Sequence, residues 1–426
     1  MNPVVGEEDA ERHVRGVCFK TGPPRRTGVE LEWLVRDPAD PHLPVPAARL
    51  DAALAPLTAR GGLPYGGRIT LEPGGQVELS SRPAGSPAAC VAAVAAELAV
   101  LRRHLAGAGL VLDGTGLDAH RSPPRILDQP RYRAMEAHFD RDGPWGRVMM
   151  RCTAAVQVCV DAGDESDGVT GYRFRWLLAH RLGPVLVAAF ANSPLHRGRP
   201  TGWASYRQAV WARMDPGRTR RPLGARRCPR TAWARYALDA RLMCVPGAGD
   251  WSPPPGLPLR AWLRGGWTER PPTLADVDYH LTTLFPPVRP RGHLELRMID
   301  AQPGDDWIVP LLVTAALLDD PEAAERAWEA TAPLTRGGRA TPPWSAWLRA
   351  ARHGPADPAT GAAVRACFDA ALTALDRPGV PAGLWRAAAS YAERYPLRGR
   401  CPADDRADAP SRGPAPAPLD LLEGAP

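Results

Sequence analysis

The chain has 426 residues, 44% apolar and 23% charged, ordinary values for a soluble globular protein with a sizeable core. At roughly 150 residues per domain, the length allows two or three domains or one large core. The net charge is +7, and Lys20 is the single lysine among 53 basic residues. That composition excludes a G-x-x-x-x-G-K-[ST] phosphate loop and the strand lysine of protein kinases, and it leaves only Lys20 for Schiff-base chemistry.

The longest apolar stretches, around 184–191 and 308–318, fall short of the ~20 residues that span a bilayer. The first thirty residues carry no apolar run of signal-peptide type. A cytoplasmic protein is expected, with no membrane partner. Its scattered positive charge gives no stripe for nucleic acid. The eight cysteines, Cys18 to Cys401, form no C-x-x-C and no paired Cys/His spacing, so neither a zinc site nor a disulfide framework is expected.

Residues 1–26 are charged and read as a partly ordered lead-in. Val29–Val35 alternates apolar and acidic residues, the pattern of a half-buried strand. Ile69–Leu71 and Val77–Leu79 flank Glu72-Pro73-Gly74-Gly75-Gln76, a hairpin. Ser86-Pro87 opens a helix whose apolar stripe runs through Val91, Val94, Leu98, Leu101 and Leu105. Leu110–Leu112 and Val148–Val160 read as strands, Tyr172–Ala191 as a helix kinked near Pro184, and Leu281–Phe285 and Leu294–Ile299 as strands. From Ile308 the pattern is helical to Arg394. The tail, 403–426, is rich in Ala and Pro and cannot offset its ordering entropy. The expected class is α+β, with one catalytic domain over 27–402 and a helical C-terminal third.

Side chains on a strand alternate faces. Glu30 and Glu32 therefore point away from Val29, Leu31 and Trp33; a three-residue turn sets Glu72 and Glu78 on one polar face; His293, Glu295 and Arg297 share another. Glutamate is depleted in strands. Gathered on one sheet face, such acids raise each other's pKa unless a cation neutralises them, and a hard ion such as Mg²⁺ or Mn²⁺ suits oxygen donors. A solvated face of an antiparallel sheet would give the same pattern.

A second constellation spans 192–220: Asn192-Ser193-Pro194, Trp203, Ser205-Tyr206-Arg207, Trp211 and Arg218-Thr219. It reads as a binding loop, since arginine forks grip carboxylates and phosphates; an arginine-rich surface loop is the alternative. Gly114-Thr115-Gly116-Leu117-Asp118-Ala119 matches a dinucleotide fingerprint but runs into Arg121-Ser122-Pro123-Pro124 where a helix should follow, and is dismissed.

These motifs, taken in order with Met149-Met150, Thr153-Ala154-Ala155-Val156-Gln157-Val158 and Leu281–Arg289, resemble the glutamate–cysteine ligases of the plant and proteobacterial kind, nearest the actinobacterial branch assigned to ergothioneine biosynthesis. The resemblance covers about Gly28 to Arg400. It implies a glutamine-synthetase-like curved antiparallel sheet, a funnel with its acidic face inward. It implies an ATP- and Mg²⁺-dependent enzyme that joins the γ-carboxyl of L-glutamate to the amine of L-cysteine through a γ-glutamyl phosphate. It places Glu30, Glu32, Glu78, Glu295 and Gln157 as metal ligands, although some relatives have histidine at the Gln157 position. It makes Arg297 and Glu78 catalytic, with Arg297 facing the transferring phosphoryl group. Arg207, Trp211 and Arg218 become substrate-binding residues; where relatives continue Arg-Thr-Gly, this chain has Arg218-Thr219-Arg220. The expected partners are these small molecules alone, and the expected state is a monomer. The alternatives are a ligase of the same fold with another amine, or a non-catalytic small-anion-binding protein.

Overall fold

The structure, a computed structural model, describes residues 4–58, 62–222, 228–335, 337 and 339–408. Among the described residues nine strands follow in chain order: β1 (Thr27–Arg36), β2 (Arg68–Leu71), β3 (Val77–Ser80), β4 (Val111–Asp113), β5 (Ala155–Asp161), β6 (Leu195–His196), β7 (Arg199–Pro200), β8 (Val288–Pro290) and β9 (His293–Asp300). Seven of them form one sheet in the order β2-β3-β1-β5-β9-β8, with β4 pairing the far end of β1; β6 and β7 make a separate small ribbon. Every ladder of the large sheet is antiparallel. The result is a mixed α/β protein built on an antiparallel sheet.

Alternation along the strands sorts the two faces. Val29, Leu31, Trp33, Ile69, Val77, Leu79, Val158, Val160, Leu294 and Leu296 are buried in one core cluster. The helix Pro87–Gly107 packs on β1, Tyr172–Ala189 on β9 and Ile308–Asp319 on β5. The β2–β3 hairpin turns as its residues demand. Gly75 sits at φ +89°, a left-handed conformation that favours glycine, and the Glu72 amide donates to the Gln76 carbonyl at 2.9 Å. Ser86 caps the helix Pro87–Gly107 by accepting the Ala89 amide at 3.1 Å. Ser86→Ala is expected to lower stability by about 1 kcal/mol, read as a drop in denaturation midpoint with turnover unchanged.

Several expectations are corrected. Within the described part of the expected lead-in, Glu7–Val17 is a helix that buries Ala10 and Val14 against the helix Pro229–Asp239, and Phe19 is in the core. Its charges occupy the outer face of an amphipathic helix, which a reading weighted on charge passes over. Val148–Cys152 is not strand but the end of a helix, Trp145–Cys152, and the strand starts at Ala155. A short apolar run such as Val148-Met149-Met150 fits either period. Leu281 ends a helix, Leu274–Leu281, nucleated by a Thr273/Asp276 capping box, and 282–285 is not strand. The neighbouring strand is instead Val288–Pro290. Order continues past residue 403, because Pro402–Asp408 is helical and Arg406 Nε donates to Asn192 Oδ1 at 2.6 Å. Residues 409–426 of the expected tail lie outside the described residues.

The dismissed fingerprint has a packing role. A Cβ on Gly114 would stand 1.9 Å from the Gln302 carbonyl oxygen, so two backbones touch there. The eight cysteines are all free thiols.

Candidate active site

Register brings the polar residues of five strands together. Across β1 and β3, Glu32 faces Glu78 and Glu30 faces Ser80; across β1 and β5, Glu30 faces Gln157; across β9, Glu295 faces Cys159 on one side and Arg289 on the other. The sheet partners alone put like charges opposite each other, an arrangement that costs stability unless it is compensated.

This face floors a cavity of about 310 Å³. Glu30, Glu32, Glu78, Gln157, Arg207, Trp211 and Arg297, all singled out from sequence, line it. So do Glu72, Arg131, Tyr132, Met135, Met149, Met150 and Arg289, which were not assigned a role. Glu72 was legible on the hairpin's polar face. Arg131 and Tyr132 come from the helix Pro130–Asp140, which carries no motif.

A second cavity of about 490 Å³ adjoins the first, sharing Glu30 and Arg291, and is lined by Lys20, Arg26, Ser81, Cys159, Asp161 and His293 among others. A larger depression of about 900 Å³ lies over the N-terminal helix and reaches none of the polar-face acids.

Three of the acids are electrostatically uncomfortable. Burial, then the charges of Glu295 and Glu78, pushes the Glu30 carboxyl up to about 7. Burial, then Glu78, pushes Glu32 up to about 7 as well. Burial, then Glu32 and Glu78, holds Glu72 well above the usual carboxylate range. Glu32 accepts one hydrogen bond from Gln157 Nε2 at 2.7 Å, and Glu78 accepts from Thr70 and Ser80 at 3.0 and 2.9 Å. Without a cation, the folded protein therefore keeps protons that the unfolded chain, with a carboxylate pKa of about 4.3, has released. The contribution of these three carboxyls to stability should fall as pH rises from about 5 to 8, because at these groups the unfolded state binds fewer protons; the buried imidazoles of His180 and His280, which burial lowers to about 4 and about 3, act in the opposite sense. Divalent cation is expected to raise the melting temperature more at about pH 8 than at about pH 6, because the acids it would neutralise are ionised only at the higher pH. An equal rise at both pH values would contradict it.

Glu295 differs from its neighbours. It is 0% exposed, and Arg289 Nη2 donates to it at 2.8 Å. Arg297 Nη1 donates to it too, and Arg291 lies 3.7 Å away. Burial works to raise its pKa, but the guanidinium groups of Arg289 and Arg297 outweigh it, and the carboxyl stays well below its usual range. It is the shared acceptor of an arginine cluster, three of whose hydrogen bonds reach its two oxygens. Gln157 likewise bridges, accepting from Arg297 and donating to Glu32. Arg297 is raised: burial opposes the shift, and Glu295 and Glu30 outweigh it.

Arg218 lies behind the cavity wall. It is 0% exposed and absent from the cavity wall, donating to Thr283 and the Arg241 carbonyl and lying 3.3 Å from Asp215. Asp215 also takes His138 Nε2 at 3.0 Å. This buried cluster ties together the segments that bear Arg131, Trp211 and Phe285. Arg207, by contrast, lines the cavity while only 4% exposed, and its Nε and Nη1 have no hydrogen-bond partner among the described residues.

As donors, Glu30, Glu32, Glu72 and Glu78 fit a hard divalent ion in chemistry and in charge. Among the described residues, no three acidic, His or Cys side chains are already gathered around one point.

The glutamate–cysteine ligase family 2 model matches residues 26–417. The chain is 40% identical over 431 residues to "Glutamate--cysteine ligase EgtA" of Mycolicibacterium smegmatis, covering 98% of this chain and 95% of that protein. It is 40% identical over 407 residues to the protein of the same name from Mycobacterium tuberculosis, covering 94% and 89%. A chloroplastic glutamate–cysteine ligase A of Oryza sativa subsp. japonica is 31% identical over 283 residues, 64% of this chain and 56% of that protein. Among solved structures, a bifunctional glutathione synthetase from Pasteurella multocida superposes with a TM-score of 0.49 at 14% identity, over 96% of this chain and 53% of its own; that likeness is too loose to inform the chemistry. Matched from the first strand past the last helix, and sharing two residues in five with its mycobacterial relatives, the chain belongs to glutamate–cysteine ligase family 2.

Proposed function

We infer that this chain joins the γ-carboxyl of L-glutamate to the amine of L-cysteine with ATP, giving γ-glutamylcysteine, ADP and phosphate for ergothioneine biosynthesis. The supporting observation is the pairing, in one cavity, of an under-neutralised acid cluster with an arginine that keeps two buried N–H groups unmatched. A buried donor without a partner costs roughly 1–3 kcal/mol, and a substrate carboxylate relieves it at Arg207.

The chemistry sets the division of labour. A carboxylate is a poor electrophile, so its γ-oxygen first takes the terminal phosphoryl group of ATP; the amine then attacks and phosphate departs. Glu30, Glu32, Glu72 and Glu78 would hold Mg²⁺. When bound, that ion supplies the positive charge that phosphate oxygens and the acids share. Arg289, Arg291 and Arg297 surround the single Glu295 carboxylate and leave net positive charge beside the acids. That excess suits the transferring phosphoryl group. Glu78, steadied by Thr70 and Ser80, and Gln157, bridging Glu32 to Arg297, fix the relative position of acids and arginine. The adjoining cavity, with Lys20, Arg26 and Arg291, is of a size and charge for a nucleotide. Trp211, Tyr132 and the methionines enclose the other side.

The same reading takes the sheet as the wall of a glutamine-synthetase-like funnel, 27–402 as one catalytic unit, and the protein as a cytoplasmic monomer without nucleic-acid or membrane partners. No described helix is long and apolar enough to cross a membrane. Phosphate release measured with glutamate, Mg·ATP and a panel of amines tests the amine. Cysteine is expected to give the highest kcat/KM. Preference for another amine would move the chain to a sister activity, and phosphate release with none would make it a binding protein.

A further inference from the structure

Asp300, at the end of β9, is a buried carboxylate that no step above uses. It is 2% exposed, and burial raises its pKa. Its Oδ2 accepts the Asn192 amide at 2.9 Å and the Ser193 hydroxyl at 2.7 Å; its Oδ1 accepts the Ser205 hydroxyl at 3.0 Å and lies 3.6 Å from Arg207 Nη1. Those two hydroxyls are not idle. Ser193 Oγ accepts the Arg207 amide at 3.1 Å, and Ser205 Oγ caps the helix Tyr206–Ala212 by accepting the Gln208 amide. A single carboxylate thus holds both the backbone that launches this helix and, by charge, the side chain of its second residue.

The other holds on Arg207 are weaker in kind. Its Nη2 donates to the Arg297 carbonyl at 3.0 Å, while Nε and Nη1 are unmatched. A carboxylate at 3.6 Å from Nη1 steers the guanidinium without consuming its hydrogen bonds, which stay available for a ligand. The room for this is built in: a Cβ on Gly116 would come within 2.7 Å of Asp300 Oδ2.

We propose that Asp300 is a positioning residue for glutamate binding, acting through Arg207 by fixing the start of its helix and the aim of its guanidinium. This rests on Arg207 being the arginine that grips the glutamate carboxylate. Asn at 300 has the same shape but presents an amide to a guanidinium, so the steering charge is lost.

The experiment measures KM for glutamate, KM for ATP and kcat in the parent, D300N, R207K and the double variant, with a melting curve for each. D300N is expected to raise KM for glutamate about tenfold, to leave KM for ATP unchanged and to lower kcat no more than about threefold. Added to R207K, it should have little further effect, because both act on one interaction. If R207K raises KM for glutamate and D300N does not, the positioning role is overturned while Arg207 keeps its assignment. If R207K leaves KM for glutamate at the parent value, the assignment of Arg207 itself falls, and the inference with it. A D300N variant that shifts all three parameters together, or adds in full to R207K, has only a structural role, which also overturns the proposal. If D300N does not fold, S193A removes one link and keeps the charge. It should raise KM for glutamate about threefold, and an unchanged value overturns the proposal.

Discussion

Glu295→Gln should destabilise the fold by about 3–5 kcal/mol, the range for removing one partner of a buried ion pair. The reason is specific to this site. Glu295 is fully buried and is the shared acceptor of Arg289 and Arg297, with Arg291 close by. Glutamine can accept one of these hydrogen bonds, but its amide group meets a guanidinium, donor against donor. Two arginines that lie deep in the sheet then lose the one carboxylate bonded to both of them. Set against a typical total of about 5–15 kcal/mol, that is a large fraction, so the variant should denature at much lower urea concentration and lose turnover as a consequence. A parent-like midpoint would mean that the arginines are solvated or neutralised by other groups.

Glu30→Gln should do the reverse. Its carboxyl is pushed up to about 7 by burial and by Glu295 and Glu78, so at neutral pH its ionised form is a burden on the fold in the absence of a cation. Removing that charge should stabilise the metal-free protein, on the order of 1–3 kcal/mol at about pH 8, since each pKa unit corresponds to about 1.4 kcal/mol. The gain should vanish at about pH 5, where the parent carboxyl is already protonated. Turnover should drop by about 10²–10³ or more, the cost of removing one preorganised electrostatic group from a reaction centre. A more stable, inactive variant separates a functional acid from a structural one. A variant with wild-type turnover would remove Glu30 from the site.

The opposite signs expected for two glutamates on one sheet face show where sequence reasoning stops. Alternation in Glu30-Leu31-Glu32 and in Leu294-Glu295-Leu296-Arg297 was enough to place all of these acids on a polar face, because strand geometry fixes the side to which each residue points. It could not show that β8 would lay Arg289 directly opposite Glu295 and give that acid an arginine partner its neighbours lack. That pairing depends on a three-residue strand with no periodic pattern. The arginine-rich stretch 192–220 behaves similarly. Density of Arg and Trp marked it as a binding element, yet Arg207 faces the cavity and Arg218 faces Asp215, a choice made by two short helices whose packing is tertiary. The helix start at Ser86 was legible because its capping chemistry is local and a long apolar stripe follows, whereas the capped starts at Ser205 and Thr273 open short helices and were passed over. The helix Trp145–Cys152, with only Pro144 before it and no side-chain cap, was not legible either.

The central claim is tested most directly by incubating the purified protein with Mg·ATP, L-glutamate and L-cysteine and following the products by mass. A dipeptide with the mass of γ-glutamylcysteine, formed one-for-one with ADP and phosphate and lost in Glu30→Gln, is the predicted result. ATP consumed without dipeptide, or no reaction under any divalent ion, would contradict it.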